Sequence, residues 1–204
     1  LRLDPHDAAA LRACGQSGTD DLGWRIGTTA VEVDAKGIEK RYDEAAACLD
    51  TLLDLEPSDA DAQRERLRLA LLTMHTGDAR RLTGRWAAAA PDRAEAWRWH
   101  GLALWFAGDD AAAEAFELAL EKADAAEKAR WRDPARVRVP GADSVEAAAF
   151  WATRDPLLST PANERWTEHL ARMALADLFF GEGPTPGADT KRGAMLVRYG
   201  LPAD

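Results

Sequence analysis

The segment that follows Pro161 carries the residues best suited to acid–base chemistry, Asp177 and His169. Its apolar residues recur at helical spacing and predict one apolar stripe, formed by Trp166, Leu170, Met173 and Phe180. Asp177 falls within this stripe, and His169 lies at its edge. Because burial and neighbouring groups tune the pKa of such residues, a buried Asp177 near His169 could serve as a general base. Together with Glu164 they form a candidate catalytic site for the alternative interpretation of the chain as an enzyme; the leading interpretation assigns no catalytic residue.

A structural role is the interpretation that we favour for Asp177. Residues eight apart on a helix lie about 12 Å apart along its axis, so Asp177 and His169 cannot hydrogen-bond to each other directly. A carboxylate on an apolar face is costly unless it is paired. We therefore expect Asp177 to accept backbone N–H groups from residues 181–187, or to pair with Lys191 or Arg192.

Two other charged groups have ordinary surface explanations. Glu164 and Glu168 could hold a divalent metal, but further ligands are not evident nearby, and a Glu168–Arg172 pair on a solvated helix face explains the spacing. The second group comprises Arg130, Trp131, Arg132, Arg136 and Arg138. Arginines interleaved with an aromatic residue resemble the surfaces that bind single-stranded nucleic acid. We expect these arginines to pair with acidic helix faces. We predict no metal and no other cofactor.

Composition excludes several classes of protein. The chain has 204 residues, a net charge of −9 and 47% hydrophobic residues, which fits one or two globular domains rather than global disorder. No apolar run approaches the roughly 18 to 20 residues of a membrane helix, and the acidic balance argues against nucleic acid as a partner. Cys14 and Cys48 are too few for a disulfide framework, so we predict free thiols. Leu1 is not an initiator methionine, so we expect a trimmed or processed chain.

Helices must position these residues. Ala, Leu, Arg and Glu dominate residues 40–130, and β-branched residues are rare there. Turn signals separate segments with apolar positions three and four apart; they are Glu56–Asp59, Thr76–Asp78, Ala90–Asp92 and Ala107–Asp110. Pro57 and Pro91 are 34 residues apart, while Gly77 and Gly108 are 31 apart. We therefore predict a mainly α fold, a short array of antiparallel helix hairpins.

A two-helix period near 34 residues is that of the tetratricopeptide repeat. Residues 38–125 resemble this family through two runs: Ala94–Trp97 with Gly101, Leu104 and Gly108, and Tyr42–Ala46 with Leu49 and Pro57. The resemblance implies a protein or peptide partner bound in a groove built by the first helices. Phasing the copies on Gly77 and Gly108 predicts that the groove is lined by Arg64, Leu67, Leu71, Met74 and His75 from one copy, and by Glu95, Arg98, Leu102, Trp105 and Phe106 from the next. For each residue, the alternative is packing in the core.

A second region follows a Pro-containing linker at residues 130–143. Here the sequence predicts helices over Val145–Ala152 and Ala162–Phe180, a Gly/Pro loop over Gly181–Asp189, and one β-strand over Ala194–Tyr199. If this strand lies at an exposed edge, we expect it to recruit a partner strand, from the missing C-terminus or from another copy.

This region resembles the start of the bacterial GWxTD domain, a family without an assigned biochemical role. The resemblance is carried by Phe150–Trp151, Arg154–Pro156 and Gly187–Gly193, although Ala188 and Lys191 stand where the family has Trp and Asp. It implies a bacterial protein, and it leaves the cytoplasm and the cell envelope both open.

The predicted organisation has four parts. Residues 1–37 form an irregular lead-in or degraded repeat, with a helix over Pro5–Cys14 broken at Gly15–Gly18; residues 38–129 form the repeats, 130–143 the linker and 144–204 the GWxTD-like region. The leading functional prediction is a scaffold or adaptor that binds a protein or peptide. The alternative is an enzyme, or an enzyme accessory subunit, with its site between the repeats and the C-terminal region.

Overall fold

The helix-forming composition produces a helical protein. The computed structural model describes residues 7–27, 35–133, 136, 150, 151, 153, 162–181 and 184–201. These residues include a 3₁₀ turn at Gly187–Asp189, and no β-strand is found among them. The nine α-helices found there are α1 (Ala8–Gly27), α2 (Ala35–Leu55), α3 (Ala60–Leu72), α4 (Thr76–Ala89), α5 (Ala94–Phe106), α6 (Ala112–Lys122), α7 (Ala125–Arg132), α8 (Glu164–Phe180) and α9 (Lys191–Tyr199). The mainly α prediction is confirmed.

The chain divides into two compact units, residues 1–85 and 86–204, and the division falls inside α4. The four predicted segments, with boundaries at residues 37, 129 and 143, stay predictions. Most of the predicted linker and of the helix over Val145–Ala152 lies outside the described residues, as does Arg154–Pro156. None of the described helices combines the length and the apolar character that a membrane crossing requires.

In the first unit, α1 lies against α2 because its glycines allow a close approach. A Cβ at Gly15 would lie 2.4 Å from Cγ of Leu49, and one at Gly18 would lie 2.6 Å from Cβ of Ala45. A side chain at either position would push the helices apart. The prediction that Gly15–Gly18 break the first helix is wrong, because this interhelical contact outweighs a propensity cost of about 1 kcal/mol per glycine.

Cys14 and Cys48 join these two helices by a disulfide, so the prediction of free thiols is wrong. The residues are 34 positions apart in sequence, yet packing of α1 on α2 brings their Cα atoms to 6.1 Å. That separation is one at which a disulfide can form. Cysteine count alone carries no information about such tertiary proximity.

Helices α3 and α5 repeat one design at an offset of 34 residues. A Pro-containing turn precedes each helix, at Pro57 and Pro91. Each ends at a residue with positive φ, Met74 at 61° and Gly108 at 68°. At both ends, the N–H of the following residue reaches the carbonyl five positions back, which is the Schellman arrangement. The equivalent of Gly108 is therefore Met74; the phase based on Gly77 is wrong, because Gly77 lies in the first turn of α4.

In the second unit, α5 pairs with α6, and α8 contacts both. A Cβ at Gly101 would lie 2.9 Å from the Phe116 ring, so glycine lets the two helices of this hairpin touch. Helix α8 begins two residues after the predicted start and ends where predicted. Asn163 caps it, since its Oδ1 accepts the N–H of Trp166 at 2.9 Å.

Helix α9 occupies the residues predicted as a β-strand, Ala194–Tyr199, so that prediction is wrong. Thr190 caps its start by accepting the N–H of Gly193 at 3.1 Å, and Gly200 follows its end with φ 80°. Its buried positions have helical spacing: Gly193, Leu196 and Val197. A strand would place the last two on opposite faces. The predicted pairing of this strand with a partner strand is no longer supported.

Candidate functional site

Asp177 lies at the centre of a charge cluster in the second unit. It sits in the last turn of α8 with its side chain 9% exposed. Arg130 donates two hydrogen bonds to its carboxylate, Nη1 to Oδ1 at 3.2 Å and Nη2 to Oδ2 at 2.7 Å. Nη1 of Arg98 lies 3.7 Å from Oδ2, and the N–H of Ala188 donates to Oδ1 at 2.9 Å. The prediction places backbone N–H groups of residues 181–187 here, and the N–H that binds belongs to the next residue, Ala188. The charged partners are arginines of α5 and α7 instead of Lys191 or Arg192.

Asp189 extends the cluster to the 3₁₀ turn. Nη2 of Arg136 lies 2.6 Å from its Oδ1, and Nη1 of Arg136 donates to the carbonyl of Ala188 at 3.3 Å. Nη1 of Arg130 lies 4.0 Å from Oδ2 of Asp189. The cluster therefore joins α5, α7, α8 and the 3₁₀ turn through charge-assisted contacts.

The electrostatics of the cluster are those of a closed ion-pair network. Burial acts to lower the pKa of Arg130, but the hydrogen bonds and charge of Asp177 outweigh it, so the pKa of Arg130 stands above its ordinary value. Paired hydrogen bonds from one guanidinium also fix the orientation of the carboxylate. Because both oxygens of Asp177 accept hydrogen bonds from other elements, its arrangement is suited to holding those elements together.

His169 is buried among aromatic rings on α8. Its ring centroid lies 4.5 Å from that of Trp151 and 5.6 Å from that of Trp166. Nε2 lies 2.8 Å from the carbonyl oxygen of Trp131, which assigns the proton to Nε2 and leaves Nδ1 as a lone pair. Within the described chain, Nδ1 has no hydrogen-bond partner. Desolvation lowers the pKa of His169 to about 4, against the opposing effect of the carbonyl.

The three residues of the candidate catalytic site therefore do different things. Asp177 binds Arg130, His169 binds the Trp131 carbonyl, and Glu164 lies half-buried in the first turn of α8. Glu168, which lies four residues after Glu164 on α8, pairs with Arg165 at 2.8 Å and with Arg172. In the residues that the structure describes, no three His, Cys, Asp or Glu side chains are placed to hold a metal ion.

The predicted groove residues of the first unit differ in accessibility. Leu67 and Leu71 are buried, Arg64 is exposed, and Met74 is 67% exposed. His75 stacks on the Tyr42 ring at 3.7 Å and contacts Oγ1 of Thr73 at 2.8 Å.

Tyr42, which supports His75, belongs to a buried polar network. Its hydroxyl donates to Asp78 and accepts from Nη1 of Arg66 at 3.2 Å. Burial, and then the bond to Asp78, raise the pKa of Tyr42 to about 12. The same bond, together with one from Arg81, lowers the pKa of Asp78 to about 2. This network holds α2, α3 and the start of α4 together.

The predicted groove residues of the second unit lie on α5. Leu102 is buried, and Arg98 is engaged by Glu127 at 2.9 Å as well as by Asp177. Oε1 of Glu95 accepts the indole N–H of Trp99 at 3.3 Å. The half-buried rings of this set, in edge-to-face contact at 5.3 Å, are Trp105 and Phe106.

A small surface depression, with room for about one water molecule, lies beside Arg98. Its lining is mainly apolar and comprises Ala94, Arg98, Ala119, Leu120, Ala123, Glu127 and Trp131. Sequence reasoning missed Glu127 as a partner of Arg98 and Arg130 as the partner of Asp177. Arg130 belongs to the basic group described in the sequence analysis. The sequence indicated that this group needs acidic partners, but it did not indicate which ones.

The comparisons with known proteins give no relative on which to rest a function. No family model, no curated protein and no solved structure matches the chain. What stands is an all-helical protein with sequential packing of helix pairs, consistent with helical repeats.

Proposed function

We propose that this protein is an interaction scaffold, built from tetratricopeptide-type helix pairs, that binds a partner protein or peptide. The observation that carries the proposal is the 34-residue offset between α3 and α5, at both their starts and their ends. Proline turns and Schellman ends recur at that same offset. A period of about 34 residues is that of a two-helix repeat unit. Such units stack, and the stack presents an extended surface for partner binding.

The accessible members of the predicted groove set are the proposed contact residues. In the first unit these are the exposed Arg64 and Met74 and the half-buried His75; in the second unit, taken by itself, they are the half-buried Trp105 and Phe106. Aromatic residues and Met are enriched in interfaces because they bury large areas at small entropic cost.

The GWxTD-like segment has an architectural role in this proposal. Gly187 and Gly193 lie where backbones touch: a Cβ at Gly187 would lie 1.9 Å from the Ala176 carbonyl oxygen, and one at Gly193 1.8 Å from that of Gly187. Asp189 and Thr190 supply an ion pair and a helix cap. The segment thus fastens the C-terminal helices to α8.

Capture experiments with the full chain test the scaffold proposal. In the second unit, Phe106→Glu places a charge among the proposed contact residues. In the first unit, Met74→Asn changes an exposed contact residue while keeping a residue type that tolerates positive φ. Leu55→Glu is the matched control, since Leu55 is 41% exposed but lies outside the predicted groove. Arg98 is left intact because substitution would break its pairs with Glu127 and Asp177.

We expect a protein captured from the source organism by the wild type and by Leu55→Glu to be lost with Phe106→Glu. Titration of that purified partner should then give a defined stoichiometry, with affinity weakened about tenfold by Phe106→Glu. Circular dichroism melting checks that each variant is folded. Equal binding by all folded variants, or no reproducible partner for the wild type, would contradict the proposal.

A further inference from the structure

Helix α9 presents an apolar pair of side chains to solvent. Met195 is 60% exposed and Tyr199 is 66% exposed, and just beyond the helix Leu201 is 55% exposed. Met195 and Tyr199 are four residues apart and so share one face of the helix. The opposite face is the one buried in the second unit. Large exposed apolar side chains are uncommon in the described chain, and three of the five lie in this short stretch.

Cations flank this apolar pair on both sides. At 100° per residue, Lys191 and Arg198 fall on one side of Met195 and Tyr199, and Arg192 falls on the other. All three are exposed, and α9 contains no acidic residue. This is a local excess of positive charge in a chain whose net charge is −9.

Two of the three cations do not stabilise the helix, whereas Arg198 lies in its last turn, where the helix dipole favours a cation. Lys191 and Arg192 lie in its first turn, where the positive end of the helix dipole disfavours them. Among the described residues, neither they nor Arg198 form an ion pair. The nearby carboxylates are already engaged, Asp189 by Arg136 and Glu168 by Arg172. The positive charge of this face is therefore available to a ligand.

We propose that the outer face of α9 docks an acidic amphipathic helical segment of a partner protein, with apolar residues on Met195 and Tyr199 and carboxylates on the flanking cations. Charge complementarity selects this occupant. A second copy meeting α9 through the same face would bring six cations together. A membrane surface would extend beyond α9 and would also face its surroundings in a protein whose net charge is −9. A single helix would contact α9 alone. This surface is separate from the groove residues of the proposed function.

A designed peptide provides the test. The probe is a fluorescein-labelled helix-forming peptide of about 14 residues, about four turns, with a leucine stripe bordered by glutamates. Its control has the same composition in an order that scatters the leucines. Fluorescence anisotropy with the full-length protein measures both affinities. We expect the striped peptide to bind about tenfold more tightly than the control, and to weaken as salt rises from about 50 to about 300 mM.

Matched variants locate the binding. Arg192→Glu with Arg198→Glu should weaken the striped peptide about tenfold, and Met195→Asp should weaken it similarly. Arg85→Glu and Leu55→Asp alter one exposed cation and one exposed leucine of the first unit and should leave the affinity unchanged. Equal binding of the two peptides, or α9 variants that bind like the wild type, would overturn the proposal. So would α9-dependent binding found only with vesicles containing about 30% phosphatidylserine, or only as self-association in sedimentation.

Discussion

At the residue scale, His169 should make stability depend on pH. Its pKa is about 4 in the folded protein against an ordinary 6.5, chiefly because burial disfavours the charged ring. Between these values the unfolded chain binds more protons, so the contribution is complete above about pH 6.5 and is lost as the pH falls toward 4. From about pH 7 to about pH 4.5, this residue should reduce the free energy of unfolding by roughly 2 kcal/mol. Urea unfolding at a series of pH values measures the loss.

Substitution isolates this effect from other titrating groups. His169→Gln removes the ring but keeps an N–H that can reach the Trp131 carbonyl. The difference between the wild-type and variant pH profiles is then the contribution of His169. A variant that loses stability with acid as steeply as the wild type would show that the effect lies elsewhere.

Met74 occupies a backbone position better suited to glycine. With φ at 61°, it ends α3 in the same Schellman arrangement that Gly108 makes after α5. Because a Cβ is disfavoured there, Met74→Gly should raise the free energy of unfolding by about 0.5 to 1 kcal/mol. Gly108→Ala should lower it by about as much through the backbone alone, since a Cβ there has nothing within 4 Å. Thermal and urea unfolding compare the two, and opposite signs are required.

Residue-level reasoning identified Asp177 as a carboxylate that needs partners, because the cost of burying a charge follows from the apolar stripe around it. It did not identify Arg130. The two residues are 47 positions apart, and only the packing of α7 beside α8 brings them together. The roles predicted for the groove residues stay predictions, although the burial of Leu67, Leu71 and Leu102 restricts which of them a partner can touch.

At the scale of elements, the Cys14–Cys48 disulfide should stabilise the α1–α2 pair. A link across 34 residues reduces the entropy of the unfolded chain and contributes about 3 to 4 kcal/mol. We therefore expect the Cys14→Ser, Cys48→Ser variant to lose this amount in urea unfolding. Mass spectrometry of unreduced peptides should show the linked pair. Two titratable thiols in the denatured, unreduced protein would restore the free-thiol prediction.

Element boundaries were predictable where the deciding signals are local. Helices α3 and α8 begin at side-chain caps, Asp59 and Asn163, and α5 follows a turn without such a cap; these signals act over three or four residues. The apolar run at Met195–Val197 fits a strand or a helix, and the prediction took it as a strand. Thr190 and Gly200, which mark the ends of α9, are the local signals that favour a helix. Helix α1 continues through Gly15–Gly18 for a reason outside its own sequence, the approach of α2.

At the scale of the whole molecule, the Asp177 cluster should contribute strongly to the stability of the second unit. Asp177→Ala leaves Arg130 and Arg98 partly buried without this carboxylate, and we expect a loss of about 3 kcal/mol in the free energy of unfolding. The Ala188 N–H, which Asp177 accepts, should then exchange faster with deuterium. Exchange mass spectrometry of residues 184–200 measures that change.

Removing the pair together is the control for this prediction. Arg130→Met with Asp177→Leu eliminates both charges and should recover part of the stability, because no uncompensated charge remains between these two positions. Unchanged exchange at Ala188 in Asp177→Ala would show that the 3₁₀ turn is held by other contacts.

Three features can be predicted from the amino-acid sequence alone: the helical character, the spacing of 34 residues between the turns before α3 and α5, and the need to pair an acidic side chain on an apolar stripe. Helix propensity, apolar periodicity and turn chemistry act between near neighbours, so a single sequence displays them. The bond between Cys14 and Cys48, the pairing of Arg130 with Asp177, and the role of the glycines inside α1 as contacts are visible only in the folded chain. These outcomes join positions tens of residues apart, and the packing of whole helices, not local preference, sets which of those positions meet.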